Sequence, residues 1–304
     1  MTWRCATLAI HCDSRTRAAV SDDSAPSADV RTPCRVCVGV QGFSPPDRVG
    51  TFYPPGSPTR SFLSFYARVF DAVELNTTFY ATPSVTTVKN WATRVPPHFV
   101  FAAKMPRSIT HDRRLKGCEP ALSEFLDRMR ILGIRLGAIL IQFPASFTRL
   151  LEERLSSFLG LLPPDLRFAV EFRHQSWQHD DVFDLLREFS VAWCVTQWQS
   201  LPVVVQVTTD FAYIRLVGIH SQIAQVGQVQ LDRSRELAAL ADTIKQFERN
   251  LKRVYVFVNN HYAGHAPATV AQLKELLSLP VVDPHSLWPE QPMMLPGMSL
   301  PESM

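Results

Sequence analysis

Glu74 sits in the run Ala72-Val73-Glu74-Leu75-Asn76, and Glu171 in Phe168-Ala169-Val170-Glu171-Phe172-Arg173. Each is an ionisable side chain inside an apolar segment. Lys104 closes Val100-Phe101-Ala102-Ala103-Lys104, and Arg215 follows Phe211-Ala212-Tyr213-Ile214. In an extended segment, successive side chains point to opposite faces. The bulky apolar residues of each run take one face. Glu74, Asn76, Lys104, Gln142, Glu171, Arg173, Arg215 and Asn259, with Gln41, then take the other. Glu171 and Glu74 are the candidate catalytic pair, because two carboxylates in different surroundings can divide the roles of acid and base. Lys104, Arg173 and Arg215 outnumber them and favour an anionic ligand, a phosphate or carboxylate held by guanidinium forks. A purely structural arrangement uses the same charges, with Glu171 on Arg173 or Arg215 and Glu74 on Lys104. Buried ions are costly unless compensated, and stability alone favours apolar filling. The clustering of these groups therefore points to a ligand site.

Eight strand-like segments must position these residues: Val36–Val40, Ala72–Asn76, Val100–Lys104, Ala138–Phe143, Arg167–Arg173, Ala192–Thr196, Phe211–Val217 and Val254–Asn259. Helical stripes lie between them. Leu122, Phe125, Leu126 and Met129 form one, and Leu151, Leu155, Phe158 and Leu159 another. Leu237, Leu240, Ile244, Phe247 and Leu251 form a third. Pro83 and Pro120 stand where a first helical turn accepts proline. Strand then helix, counted to eight, predicts a single α/β domain, a (β/α)₈ TIM barrel. Residues 197–210 lack a helical period, so the sixth crossover is expected to be irregular. The candidate residues fall near the C-terminal ends of their strands, where barrels of this type carry their chemistry.

The chain of 304 residues has 46% hydrophobic and 19% charged residues, enough apolar material for one large core. A net charge of +3 gives no strong pull toward nucleic acid or a membrane surface. No apolar run approaches the ~18–20 residues of a membrane span. Six cysteines are too sparse for a disulfide scaffold, and Cys34-x-x-Cys37 has no second pair. Reduced thiols and the lack of a secretory signal pattern predict a cytoplasmic protein. Residues 1–33, with Arg4, Arg15, Arg17, Arg31 and a Ser/Ala/Asp stretch, are read as a mobile extension. Residues 34–279 form the barrel, and residues 280–304, with six prolines and four methionines, an irregular tail.

Other chemistries leave weaker marks. His111, His174, His220, His261 and His265 fall in predicted loops, but no tight ligand spacing accompanies them and three nearby cations repel a metal. No metal site is assigned, and no cofactor is implied. Glycosidases on this fold commonly take carboxylates from the fourth and seventh strands, which here end in Gln142 and Arg215. There is no phosphate-binding glycine loop of the Walker or GxGxxG kind. Trp177, Trp193 and Trp198 with Arg113, Arg114 and Lys116 are better read as walls and solvated charge than as a nucleic-acid surface.

Several segments together resemble the YecE-like family, domain of unknown function 72. They include Thr51-Phe52-Tyr53-Pro54-Pro55-Gly56, Val73-Glu74-Leu75-Asn76-Thr77-Thr78-Phe79-Tyr80 and Phe101-Ala102-Ala103-Lys104-Met105-Pro106. Ile109-Thr110-His111, Gln142-Phe143-Pro144, Val170-Glu171-Phe172-Arg173-His174, Tyr213-Ile214-Arg215-Leu216 and Val258-Asn259-Asn260 follow in order. The resemblance runs from Val36 to Leu277. It implies a TIM barrel and no particular activity, and its motifs add His111 and Asn260 to the ligand-binding candidates. Against the family pattern, Val40-Gln41 replaces the middle of the first-strand motif, Arg48 stands for a tryptophan, and Val217 for a histidine. The expectation is a barrel with a polar, partly cationic mouth acting on a small anionic or phosphorylated compound. A non-catalytic binding barrel and a metal-dependent nuclease-like hydrolase stay open as alternatives.

Overall fold

Bulky apolar residues at every second position give each strand one face to bury. In the computed structural model, which describes residues 35–44, 48–198 and 201–289, eight such runs become strands. They are β1 (Arg35–Gln41), β2 (Ala72–Leu75), β3 (Val100–Lys104), β4 (Leu136–Gln142), β5 (Phe168–Glu171), β6 (Ala192–Gln197), β7 (Phe211–Leu216) and β8 (Arg253–Val258). Neighbours pair in parallel and in chain order, and β1 meets β8 to close the barrel. All eight expected strands form, with ends shifted by one or two residues. Asn76, Arg173, Val217 and Asn259, expected within strands, lie just past them.

Helices α1 (Phe62–Val69), α2 (Val85–Thr93), α3 (Glu119–Arg130), α4 (Glu152–Leu159), α5 (Asp180–Glu188), α6 (Ser234–Glu248) and α7 (Ala266–Leu276) surround the sheet. The three apolar stripes are the buried faces of α3, α4 and α6. Leu151 lies in the short turn before α4, and Leu251 follows α6. Pro120 occupies the first turn of α3. Pro83 lies outside the first turn, two residues before Val85 and ahead of the α2 cap, where the Ser84 hydroxyl accepts from the Thr87 amide at 3.1 Å.

No helix lies between β6 and β7 among the described residues. Val203, Val204, Val205 and Val207 pack against the outer core in its place. Polar ties fix this segment, two of them to Trp193. The Trp193 indole donates to the Val204 carbonyl at 3.1 Å, and the Thr208 hydroxyl accepts from the Trp193 amide at 2.8 Å.

The barrel interior is a separate apolar layer of unequal halves. Ala72, Ala102, Ala138, Ala169 and Ala192 enter from β2 to β6. Phe211, Tyr213, Tyr255 and Phe257 enter from β7 and β8. Large side chains from one wall thus fill the space that small ones leave on the other, as close packing requires. Cys37 is fully buried in this layer. Burial also raises its thiol pKa, which leaves it an inert core residue.

Residues 1–33, Cys34 and residues 290–304 lie outside the described residues. Past Leu279, Val282 and Leu287 pack on the core, and the Trp288 indole donates to the Phe52 carbonyl at 3.3 Å. No helix among the described residues is long and apolar enough to cross a membrane.

Candidate functional site

The strand registers bring the ionisable residues to one level. Glu74 lies beside Gln41, Glu171 beside Gln142, and Arg215 beside Thr196. Glu74 and Glu171 are fully buried, and Arg215 is 3% exposed. The Arg215 guanidinium grips Glu74 as a fork, with Nε donating to Oε2 at 2.9 Å and Nη2 to Oε1 at 2.8 Å. Its Nη1 donates to Glu171 Oε2. The Tyr213 hydroxyl donates to Glu74 Oε2 at 2.8 Å, and Arg173 Nε donates to Glu171 Oε1 at 2.9 Å. Each carboxylate oxygen thus accepts from a charged or hydroxyl donor, the condition under which buried charge is tolerated. Burial raises the proton affinity of Glu171, but Arg215 and Arg173 outweigh it and lower its pKa to about 2. Burial opposes the charge of Arg215, and Glu171 and Glu74 overcome it, holding its pKa well above the ordinary value.

Lys104 stands apart from this network. The sequence allowed a Glu74–Lys104 pair, but Arg215 takes Glu74 instead. The Lys104 ammonium lies 3.9 Å from the centre of the Phe79 ring, a cation–π contact. Among the described residues it makes no hydrogen bond or ion pair, although the residue is only 8% exposed. Burial, then Arg215, lowers its pKa to about 7 against the pull of Glu171 and Glu74. His111, in a π-helical turn after β3 spanning Ser108–Asp112, packs edge-on against the same Phe79 ring at 4.9 Å. Its Nδ1 is 2.9 Å from the Thr110 hydroxyl. Burial, then Lys104 and Arg173, lowers its pKa to about 4.

Arg173 continues toward the rim. Its terminal nitrogens make no hydrogen bond among the described residues, and its guanidinium stacks 4.9 Å from the Trp198 ring. Arg173 and Trp198 line a cavity of about 340 Å³ with the segment 217–221 and His261. His220 and His261 stack there, 4.1 Å between ring centres. Gly218, with φ of 72°, lets the loop after β7 pass the His261 carbonyl. A Cβ on Gly218 would lie 2.1 Å from that oxygen. A larger cavity, about 790 Å³, lies at the other end of the barrel beside Arg167, Phe168, Asp210 and Phe211.

The candidate amides mostly hold the loops. Asn259 Nδ2 donates to Gln41 Oε1 at 2.9 Å, while its Oδ1 accepts from the His261 amide at 2.9 Å. Asn260 Oδ1 accepts from the Ala266 amide at 3.0 Å, at the start of α7. Gln142 donates to the Phe143 carbonyl. Half-buried Asn76 begins the short turn that carries Phe79. The structure thus gathers Glu74, Lys104, Glu171, Arg173, Arg215 and His111, and uses Asn259, Asn260 and Gln142 to fix backbone. No three His, Cys, Asp or Glu side chains among the described residues are grouped to hold a metal ion.

Two contributors, Tyr213 and Phe79, escaped the sequence reading, whereas Trp198 was read there as a wall and lines the mouth cavity. Tyr213 shares the face of Arg215 two residues earlier, and that spacing was the available signal. Phe79 and Trp198 lie outside the strands and carry no periodic mark. Arg48, in place of the tryptophan of the family pattern, is 1% exposed and donates to the Gly42 carbonyl at 2.8 Å, pinning the loop after β1.

The family pattern for the protein of unknown function DUF72 matches residues 37–293. The chain belongs to the DUF72 family. This DUF72 barrel is 39% identical over 112 residues to UPF0759 protein YecE of Escherichia coli, a match that spans 41% of YecE. It is 23% identical over 273 residues to UPF0759 protein YunF of Bacillus subtilis, spanning 95% of that relative and 80% of this chain. The crystal structure of a DUF72 protein from Thermotoga maritima superposes with a TM-score of 0.71 at 32% identity, covering 80% of this chain and 99% of that one. A DUF72 protein from Enterococcus faecalis gives 0.68 at 22% identity, covering 84% and 99%, and shows the shared fold.

Proposed function

We propose that this DUF72 barrel binds a small anionic compound, a carboxylate or phosphate ester, at its C-terminal mouth, and that Lys104 is the titrating group of the site. One observation carries the reading. The two carboxylates Glu74 and Glu171 are balanced by the two guanidiniums of Arg215 and Arg173, so Lys104 is the cation of the cluster left without a carboxylate. A ligand anion completes that balance. Arg173 is the arginine with donors to spare, because three nitrogens of Arg215 already hold the glutamates.

This division moves proton transfer away from Glu171. A carboxyl with a pKa of about 2 is a weak base near neutrality, whereas an amine with a pKa of about 7 exchanges protons readily there. Glu74 and Glu171 then serve as the fixed charges that keep Arg215 and Arg173 in place.

Thermal unfolding in inorganic phosphate, against a chloride control of equal ionic strength, tests the reading. A ligand at a hundred times its Kd adds about 2.7 kcal/mol to stability, so Tm should rise and saturate. Arg173→Ala should lose the rise while folding normally. An undiminished response in that variant would move the anion elsewhere.

A further inference from the structure

We propose that Lys104 is a nucleophile that condenses with a small aldehyde or ketone, itself bearing a carboxylate or phosphate, to form an imine at the mouth of the barrel. The inference rests on the anion-binding reading above and adds to it the class of substrate.

The geometry leaves Lys104 without a carboxylate partner that would hold it as a simple cation. The nearby carboxylates are already engaged by other donors, Glu74 by Arg215 and Tyr213, and Glu171 by Arg215 and Arg173. The lysine neighbour is the face of Phe79, an apolar surface that excludes water without accepting a proton. Two positive guanidiniums stand close enough to disfavour its charge. A buried amine so placed keeps its lone pair available near neutral pH, the condition for covalent catalysis by lysine. Its position at the end of β3 puts it on a rigid element, within the electrostatic reach of Arg173, which could orient an anionic substituent.

The step balances without an oxidant. The Lys104 nitrogen attacks the carbonyl carbon, a C–N bond forms, and the carbonyl electron pair passes to oxygen. That oxygen takes up the proton that the nitrogen gives up, giving a carbinolamine. The nitrogen lone pair then expels the hydroxyl, which leaves as water with one further proton taken from the nitrogen. An imine and one water replace the amine and the carbonyl.

Reductive trapping on the full chain tests this. Glyoxylate, glycolaldehyde phosphate and uncharged glycolaldehyde are each incubated with the protein and cyanoborohydride near pH 7.5, and the adducts are mapped by peptide mass spectrometry. The chain has five other lysines, Lys89, Lys116, Lys245, Lys252 and Lys274, which serve as internal controls. The expected result is labelling of Lys104 at least ~10-fold faster than any of them. The two anionic probes should label faster than glycolaldehyde, and inorganic phosphate should slow them. Lys104→Arg should remove the adduct. Even labelling of all lysines, or none at Lys104, overturns the imine; a phosphate-dependent Tm rise that Arg173→Ala abolishes would then leave the anion site standing. Labelling of Lys104 that ignores phosphate, the probe charge and Arg173→Ala supports the amine and overturns the anion site.

Discussion

Arg215 and Glu74 meet as a two-point fork across 141 positions of sequence, with donor–acceptor distances of 2.9 and 2.8 Å. The same guanidinium reaches Glu171 on a third strand. Removing it leaves buried Glu74 with the Tyr213 hydroxyl alone and Glu171 with Arg173 alone among the donors described. Breaking a buried pair in this way costs about 3–5 kcal/mol. Arg215→Ala should therefore lower the free energy of urea unfolding by at least that much at pH 7. A change below about 1 kcal/mol would show that the network does not hold the barrel.

Glu171 links the network to acid stability. Its folded pKa, about 2, lies below the ordinary 4.5. A depressed carboxyl contributes stability that is present above about pH 4.5 and is lost as pH falls toward about 2. Wild-type Tm should fall across that interval, and Glu171→Gln should fall less steeply while being less stable near neutrality. Parallel melting curves for the two proteins between pH 5 and pH 2.5 would show that the titration belongs elsewhere.

Lys104 acts in the opposite range. Its folded pKa of about 7 lies below the ordinary 10.5. Between these values the unfolded chain binds the extra proton, so stability rises with pH, by at most about 1.4 kcal/mol per unit. Below about pH 7 the buried ammonium imposes its full cost. Lys104→Met should raise stability most below pH 7 and remove part of the rise between pH 7 and 10. Equal slopes in urea titrations of the two proteins would refute the lowered proton affinity.

Gly218 tests the rim. Any side chain there meets both an unfavourable φ and the His261 carbonyl. Gly218→Ala should destabilise the protein by about 1–3 kcal/mol and displace the loop that lines the Arg173 cavity. Fluorescence quenching of the indoles, Trp198 among them, reads the second effect. A variant with wild-type stability would mean that the loop relaxes freely.

The barrel was legible because several strands announce themselves twice, by bulky residues on one parity and by ionisable or small ones on the other, although β7 and β8 turn large aromatic residues inward. Ala169-Val170-Glu171 shows both marks at once. The helices were less even. α3 and α6 repeat their apolar positions over several turns, and Leu151 extends the short stripe of α4, whereas α5 buries only Val182, Phe183 and Leu186. The sixth crossover was correctly marked by missing periodicity, since a valine-rich segment covers the sheet there without helical spacing. Which charge meets which was not legible. Partners on β2, β5 and β7 are set by distance across the barrel, and both Lys104–Glu74 and Arg215–Glu74 satisfied the pattern. Lys104 became distinctive only when the carboxylates proved to be taken.

Glu74, Arg215 and Glu171 join β2, β7 and β5 through the middle of the molecule, above a layer already filled by Tyr213, Tyr255 and Phe257. The barrel is thus a blind vessel with a salt-bridged floor. Whatever enters at the mouth must leave by the same opening, so arrival and departure compete for one doorway. A long polymer cannot thread through it and can present only an end or a side group. The cavity at the far end shares no passage with the mouth, and a ligand there could be felt above only through displacement of the strands themselves.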